Sequence, residues 1–294
     1  VASFEGGRLE ARPLLPWFRA FASSPLRQVA TRPIPTLRFM MNHAASKAVR
    51  PKVRAYGNRL YRKRFQALGW REKPTDSSDT KLLREAVLSF MVMDARDRRA
   101  RSRAAKLGRT YVGYQTEPKP TSVPPQLVGL TLAAAVQEGD AALFDFLLER
   151  FAASEDATVR SRILNALGNA EEPALAERAL DLALDERLRV NEISRVLSAQ
   201  FRNPRTRARA WTWLQVHFDD VAKRMGRGRA GSMPYYTMGF CSTEEADEVN
   251  AFFEPRVGAL TGGPRNLSLT VEAISICGAL VEAQRPGIDK AFSR

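Results

Sequence analysis

A chain of 294 residues with 44% hydrophobic side chains is long and apolar enough to bury a sizeable core, which excludes a disordered tail. Its 46 Lys and Arg against 32 Asp and Glu leave a net charge of +14, and the imbalance is local: residues 1–115 hold 25 basic and 8 acidic side chains, and the remainder is near balance. No run of about 18 apolar residues occurs, so no segment reads as membrane-spanning, and Val1-Ala2-Ser3-Phe4 lacks the basic start and apolar stretch of a signal peptide.

Residues 1–12 are polar and glycine-containing and read as a loose lead-in to a single helical-repeat domain over 13–294. Pro16 opens a first helix, with Trp17, Phe18, Phe21 and Leu26 as expected core contacts. From Pro33 to Gln66 apolar residues such as Leu37, Val53 and Tyr61 are mixed with many Arg and Lys, giving a strongly basic amphipathic stretch. It reads as a solvated face whose long Arg stems cover apolar neighbours; a helix lying on a membrane surface or on nucleic acid is the other reading. Gly69 stops this helix, and Trp70 is expected to anchor the next loop. Asp76 to Thr80 supplies capping residues for a helix carrying Leu82, Leu83, Val87, Phe90 and Met91, and Arg96 to Gly108 follows as a basic helix. Residues 116–125 are rich in Pro, Ser and Thr and mark a candidate internal break.

Between Val123 and Leu197 helical segments of similar length follow one another with short polar breaks. Leu143, Phe144, Leu147, Leu148 and Phe151 form one apolar face behind the cap Asp140; Asp156 caps Val159, Ile163, Leu164 and Leu167, with Gly168-Asn169 as a left-handed stop. Pro173 opens a unit with Leu175, Ala179 and Leu180, and Val190, Ile193, Val196 and Leu197 begin the next. Each unit has one apolar face that it cannot bury alone, which predicts an all-α stack of helical repeats, with an ordinary bundle as the alternative. Asn203-Pro204 then starts a helix bearing Trp211, Leu214, Phe218 and Val221; Gly226 to Ser232 is a glycine-arginine connection; helices follow through Phe252-Phe253 and, after Gly262-Gly263-Pro264, through Leu267, Ile274 and Leu280. No stretch reads as a strand.

Chemistry is sparse. His217 is followed by Phe218, and Val221 stands four residues on, so no H-E-x-x-H zinc helix exists; there is no C-x-x-C and no G-x-S-x-G. Glu171-Glu172 and Asp219-Asp220 fall where capping and solvation explain them. Cys241 and Cys277 fit either two buried thiols or one disulfide. Val1 is not an initiating Met, so the chain reads as a piece of something longer, and its compartment is not legible from its start.

The order Leu15-Pro16-Trp17, Leu68-Gly69-Trp70, Gly139-Asp140, Ala166-Leu167-Gly168 with Pro173, Asn203-Pro204 ahead of Ala210-Trp211, and Val249 with Phe252-Phe253 resembles the C-terminal helical domain of the gluzincin zinc aminopeptidases, which include the puromycin-sensitive, endoplasmic-reticulum and bacterial alanyl enzymes. The resemblance implies an all-α, bowl-shaped superhelix of HEAT-like helix pairs that closes over a peptide chamber. It also implies that the zinc helix, its distal Glu and the G-x-M-E-N motif lie in an upstream domain. The chain would then be no enzyme by itself and hold no cofactor, with zinc in the parent's catalytic domain. Its partners would be that domain and a peptide, with nucleic acid disfavoured. Arg227, Arg229, Tyr235 and Tyr236 are the expected chamber-lining residues, because a cationic and aromatic loop suits a peptide carboxylate; a plain surface loop is the alternative. The competing function is a free-standing helical scaffold whose basic first third binds nucleic acid or an acidic partner.

Overall fold

A computed structural model describes residues 2–293, and the regular elements among them are all helical: 15 α-helices joined by short 3-10 and π segments. The chain divides into two compact units, Val1–Ala134 with Leu280–Arg294, and Ala135–Ala279. The divisions fall inside the Val128–Gln137 and Gly263–Phe292 helices, and the proline-rich residues 116–125 lie within the first unit.

In the first unit the 19-residue Arg50–Leu68 helix packs against the Leu14–Ser23 and Ser78–Ser89 helices and against two π segments, Met40–Ala44 and Phe90–Asp94. Val53, Tyr56, Gly57 and Tyr61 form its inner face. Tyr61 is fully buried, and its hydroxyl donates to the Ala30 carbonyl at 2.7 Å, so burial adds apolar area without orphaning the phenol. Arg84, also fully buried, donates to Asp76 at 2.5 Å and to the Leu68 carbonyl at 3.1 Å, which fixes the loop after Gly69. The Asp76 carboxyl is held below the ordinary range, first by the Lys73 backbone N–H and then by Arg84.

Three expected core contacts are instead exposed: Trp17, Leu26 and Leu82. Leu14, Phe18 and Ala22, spaced by four, take the buried stripe of their helix, and Trp17 lies outside it. The lead-in also differs from expectation. Ala2–Glu5 is a helical turn, Phe4 is fully buried edge-on to Phe39, and Gln284 donates to the Phe4 carbonyl at 2.9 Å. One buried aromatic outweighs the local glycine content.

In the second unit the expected caps form. Asp140 accepts from the Leu143 N–H, Asp156 from those of Thr158 and Val159, and Glu172 from that of Leu175, opening helices Ala141–Ala152, Ala157–Leu167 and Pro173–Asp181. Ile193–Arg202 packs on Ala157–Leu167, Pro173–Asp181 and Arg207–Ala230, so each apolar face closes against a neighbour. Val190 is exposed, because the helix begins only at Ile193. Gly168 is right-handed at φ −62°, not the left-handed stop; a Cβ there would meet Ala199 Cβ at 2.9 Å and Val196 Cα at 3.0 Å, so close helix approach is what requires glycine. The buried Gln200 side chain donates to the carbonyls of Gly168 and Ala170, both at 2.9 Å, and satisfies that helix end.

The core of this unit is aromatic. Trp211 lies 5.1 Å from Phe252 and 5.8 Å from Phe253, with Phe218 against both, and its indole N–H donates to Glu248 at 2.6 Å. Cys241 and Cys277 are joined in a disulfide that closes a 36-residue separation. Gly263–Phe292 is long and apolar enough by length and composition to cross a membrane. Its polar side chains are nevertheless used inside the fold: Gln284 and Arg285 donate to the Leu9 and Ala44 carbonyls, and Asp289 accepts from the Ser46 N–H. Those bonds tie the C-terminal end of the helix to protein, while 28% of its most apolar 18-residue window is buried.

Candidate functional site

The glycine-arginine connection becomes a pinned turn within the second unit. The Arg207–Ala230 helix leaves helical geometry at His217 and again at Gly226, φ 73°, where Arg227 to Ala230 turn away. The Arg227 carbonyl accepts from the Thr261 N–H at 3.2 Å. Asn266, in the first turn of the last helix, donates to the Gly231 carbonyl and accepts from the Tyr235 hydroxyl, both at 2.7 Å. Asn266 escaped the sequence reading because its partners are 35 and 31 residues away. A polar amide inside an otherwise apolar helix pattern was the available signal.

The four expected residues do not share one environment. Arg227 and Arg229 are exposed, and neither has an ion-pair partner among the described residues. Tyr235 is 37% exposed, whereas Tyr236 is half-buried and stacks on Phe201 with ring centroids 5.8 Å apart. Burial raises the Tyr236 phenol above its ordinary value, so it stays neutral near pH 7. The turn thus presents two guanidiniums and one phenol ring at the surface, with no nucleophile or general base among them. Beyond it, a cleft of about 510 Å3 has Val257, Leu267 and Val271 along its floor and the carboxylates of Glu254 and Glu272 at its edge.

The histidines and cysteines do not make a catalytic zinc site. The His217 ring packs on Trp213 at 4.6 Å, His43 packs on Phe39 at 6.1 Å, and both cysteine sulfurs are consumed by the disulfide. Among the described residues, the histidines and the disulfide-bonded cysteines do not supply the donor set of a zinc peptidase.

An all-helical chain with this order of motifs matches the ERAP1-like C-terminal domain over residues 3–276. The chain belongs to that family. Among curated proteins it is similar to glutamyl aminopeptidase of Mus musculus, 24% identical over 59% of this chain and 18% of that protein. It is also similar to probable aminopeptidase 2 of Sulfurisphaera tokodaii, 25% identical over 45% of this chain and 18% of the relative. With alanine/arginine aminopeptidase of Saccharomyces cerevisiae it shares 30% identity over 32% of the chain and 11% of the relative. The chain spans under a fifth of the length of each.

Proposed function

We propose that this chain is the substrate-enclosing domain of a zinc-dependent aminopeptidase, contributing peptide binding and gating while an upstream domain supplies zinc, general base and oxyanion stabilisation. The family match over residues 3–276 carries the reading, and the absence of an H-E-x-x-H motif from the sequence directs catalysis elsewhere. Within the domain, Arg227 and Arg229 hold the carboxyl end of the peptide, Tyr235, its hydroxyl tied to Asn266, lines the chamber beside them with its ring, and Tyr236, stacked on Phe201, buttresses the turn. The partners are then the catalytic domain of the same polypeptide and a peptide substrate.

Assay of the intact polypeptide with and without this domain tests the proposal. Removing the domain is expected to leave bound zinc unchanged, raise KM for peptides several residues long, and affect a single-residue chromogenic substrate much less. Equal kinetics toward long peptides with and without the domain would overturn it.

A further inference from the structure

Within the first unit, a cleft of about 480 Å3 opens between the Arg50–Leu68 helix and the start of the Arg98–Val112 helix. Phe65 and Met91 line it together with four arginines, Arg62, Arg96, Arg98 and Arg99. Arg62, Arg98 and Arg99 form no ion pair among the described residues. The nearby carboxylates are committed: Asp97 accepts from the Ala100 N–H at 2.9 Å, and Asp94 is bidentate to Arg38 at 2.8 and 2.6 Å. Arg62, Arg98 and Arg99 therefore bring three positive charges to the lining that no ion pair among the described residues takes up.

The backbone also departs from the ordinary here. The π segment Phe90–Asp94 closes with the Ala95 N–H on the Phe90 carbonyl at 2.8 Å and the Asp97 N–H on the Met91 carbonyl at 2.9 Å. That pattern places Arg96 at the left-handed closing position, φ 52°, where glycine is the usual residue. An arginine kept in a conformation that disfavours it, beside a π segment, is the kind of local strain that accompanies binding sites.

We propose that this cleft binds an oligophosphate. A single carboxylate would leave most of the charge unmatched, whereas adjacent phosphoryl groups place several anionic oxygens within reach of planar guanidinium forks. The Asn58 amide donates to the Ala95 carbonyl at 3.1 Å, and its buried oxygen has no donor. The site is independent of the aminopeptidase reading and can be tested on this chain directly.

Calorimetric titration with inorganic triphosphate at physiological ionic strength is expected to show saturable binding at one site. Arg62→Gln with Arg99→Gln should weaken it by roughly tenfold or more, and Lys223→Gln with Arg265→Gln, in the other unit, by less than about twofold. The circular dichroism spectrum and Tm supply the second control: Arg62 and Arg99 are exposed, so both should hold in the cleft pair while binding weakens. Tighter binding of a nucleoside triphosphate would add a nucleoside contact to the site; equal binding would assign it to the phosphate chain alone. No saturable binding of either ligand, or equal losses in the cleft and control pairs, would overturn the proposal.

Discussion

Arg160 and Glu192 show how a charge is kept inside the second unit. The guanidinium is bidentate to the carboxylate at 2.8 Å through both contacts, donates to the Phe151, Ser154 and Arg187 carbonyls, and lies 4.0 Å over the Phe151 ring. Glu192 also accepts from the Arg189 N–H at 2.9 Å. Arg160→Ala would leave a buried, unpaired carboxylate, and urea unfolding should report a loss of about 3–5 kcal/mol. Arg160, and then the Arg189 amide, hold the Glu192 carboxyl below its ordinary range. A depressed folded value means that the stabilisation is complete above the unfolded carboxylate pKa, about 4.3, and is lost as pH falls through the folded value. Glu192→Gln should therefore be less stable than the parent at pH 7, with the difference shrinking as the medium is acidified; a pH-independent gap would contradict this. None of this was legible beforehand: Arg160 and Glu192 are 32 residues apart, and each reads locally as a solvated charge.

At the scale of elements, capping and periodicity gave the helix starts in the second unit, because Asp140, Asp156 and Glu172 act on their own next turns. Where a neighbour decides, the local reading failed: Gly168 is a packing glycine, and Trp17 faces outward. Gly168→Ala forces the Ala157–Leu167 helix end away from Val196 and Ala199 and should cost about 1–3 kcal/mol in thermal or urea unfolding. A variant as stable as the parent would show that the helices can part freely. The disulfide was open on sequence, since spacing alone does not pair two thiols. Its 36-residue loop predicts that reduction, or Cys241→Ser with Cys277→Ser, lowers stability by on the order of 3–4 kcal/mol. Free-thiol titration of the denatured, unreduced chain should find no thiol; two would contradict the bond.

For the whole molecule, the all-helical class and the family were legible because they rest on many weak signals in a fixed order. The candidate site was only partly legible. Arg227, Arg229 and Tyr235 were read from charge and ring chemistry, whereas Asn266, which pins the turn, required the fold. In the intact polypeptide, Arg227→Gln with Arg229→Gln should raise KM for longer peptides by about three- to tenfold, as loss of exposed carboxylate contacts does, and leave kcat near the parent value. An unchanged KM would remove these residues from the substrate path. The central claim, that this domain closes over a zinc peptidase, is tested most directly by sequencing the reading frame upstream of Val1. The account predicts an in-frame H-E-x-x-H with a further Glu about one helix downstream. A start codon immediately before Val1, with no such motif, would contradict it and leave a free-standing helical scaffold.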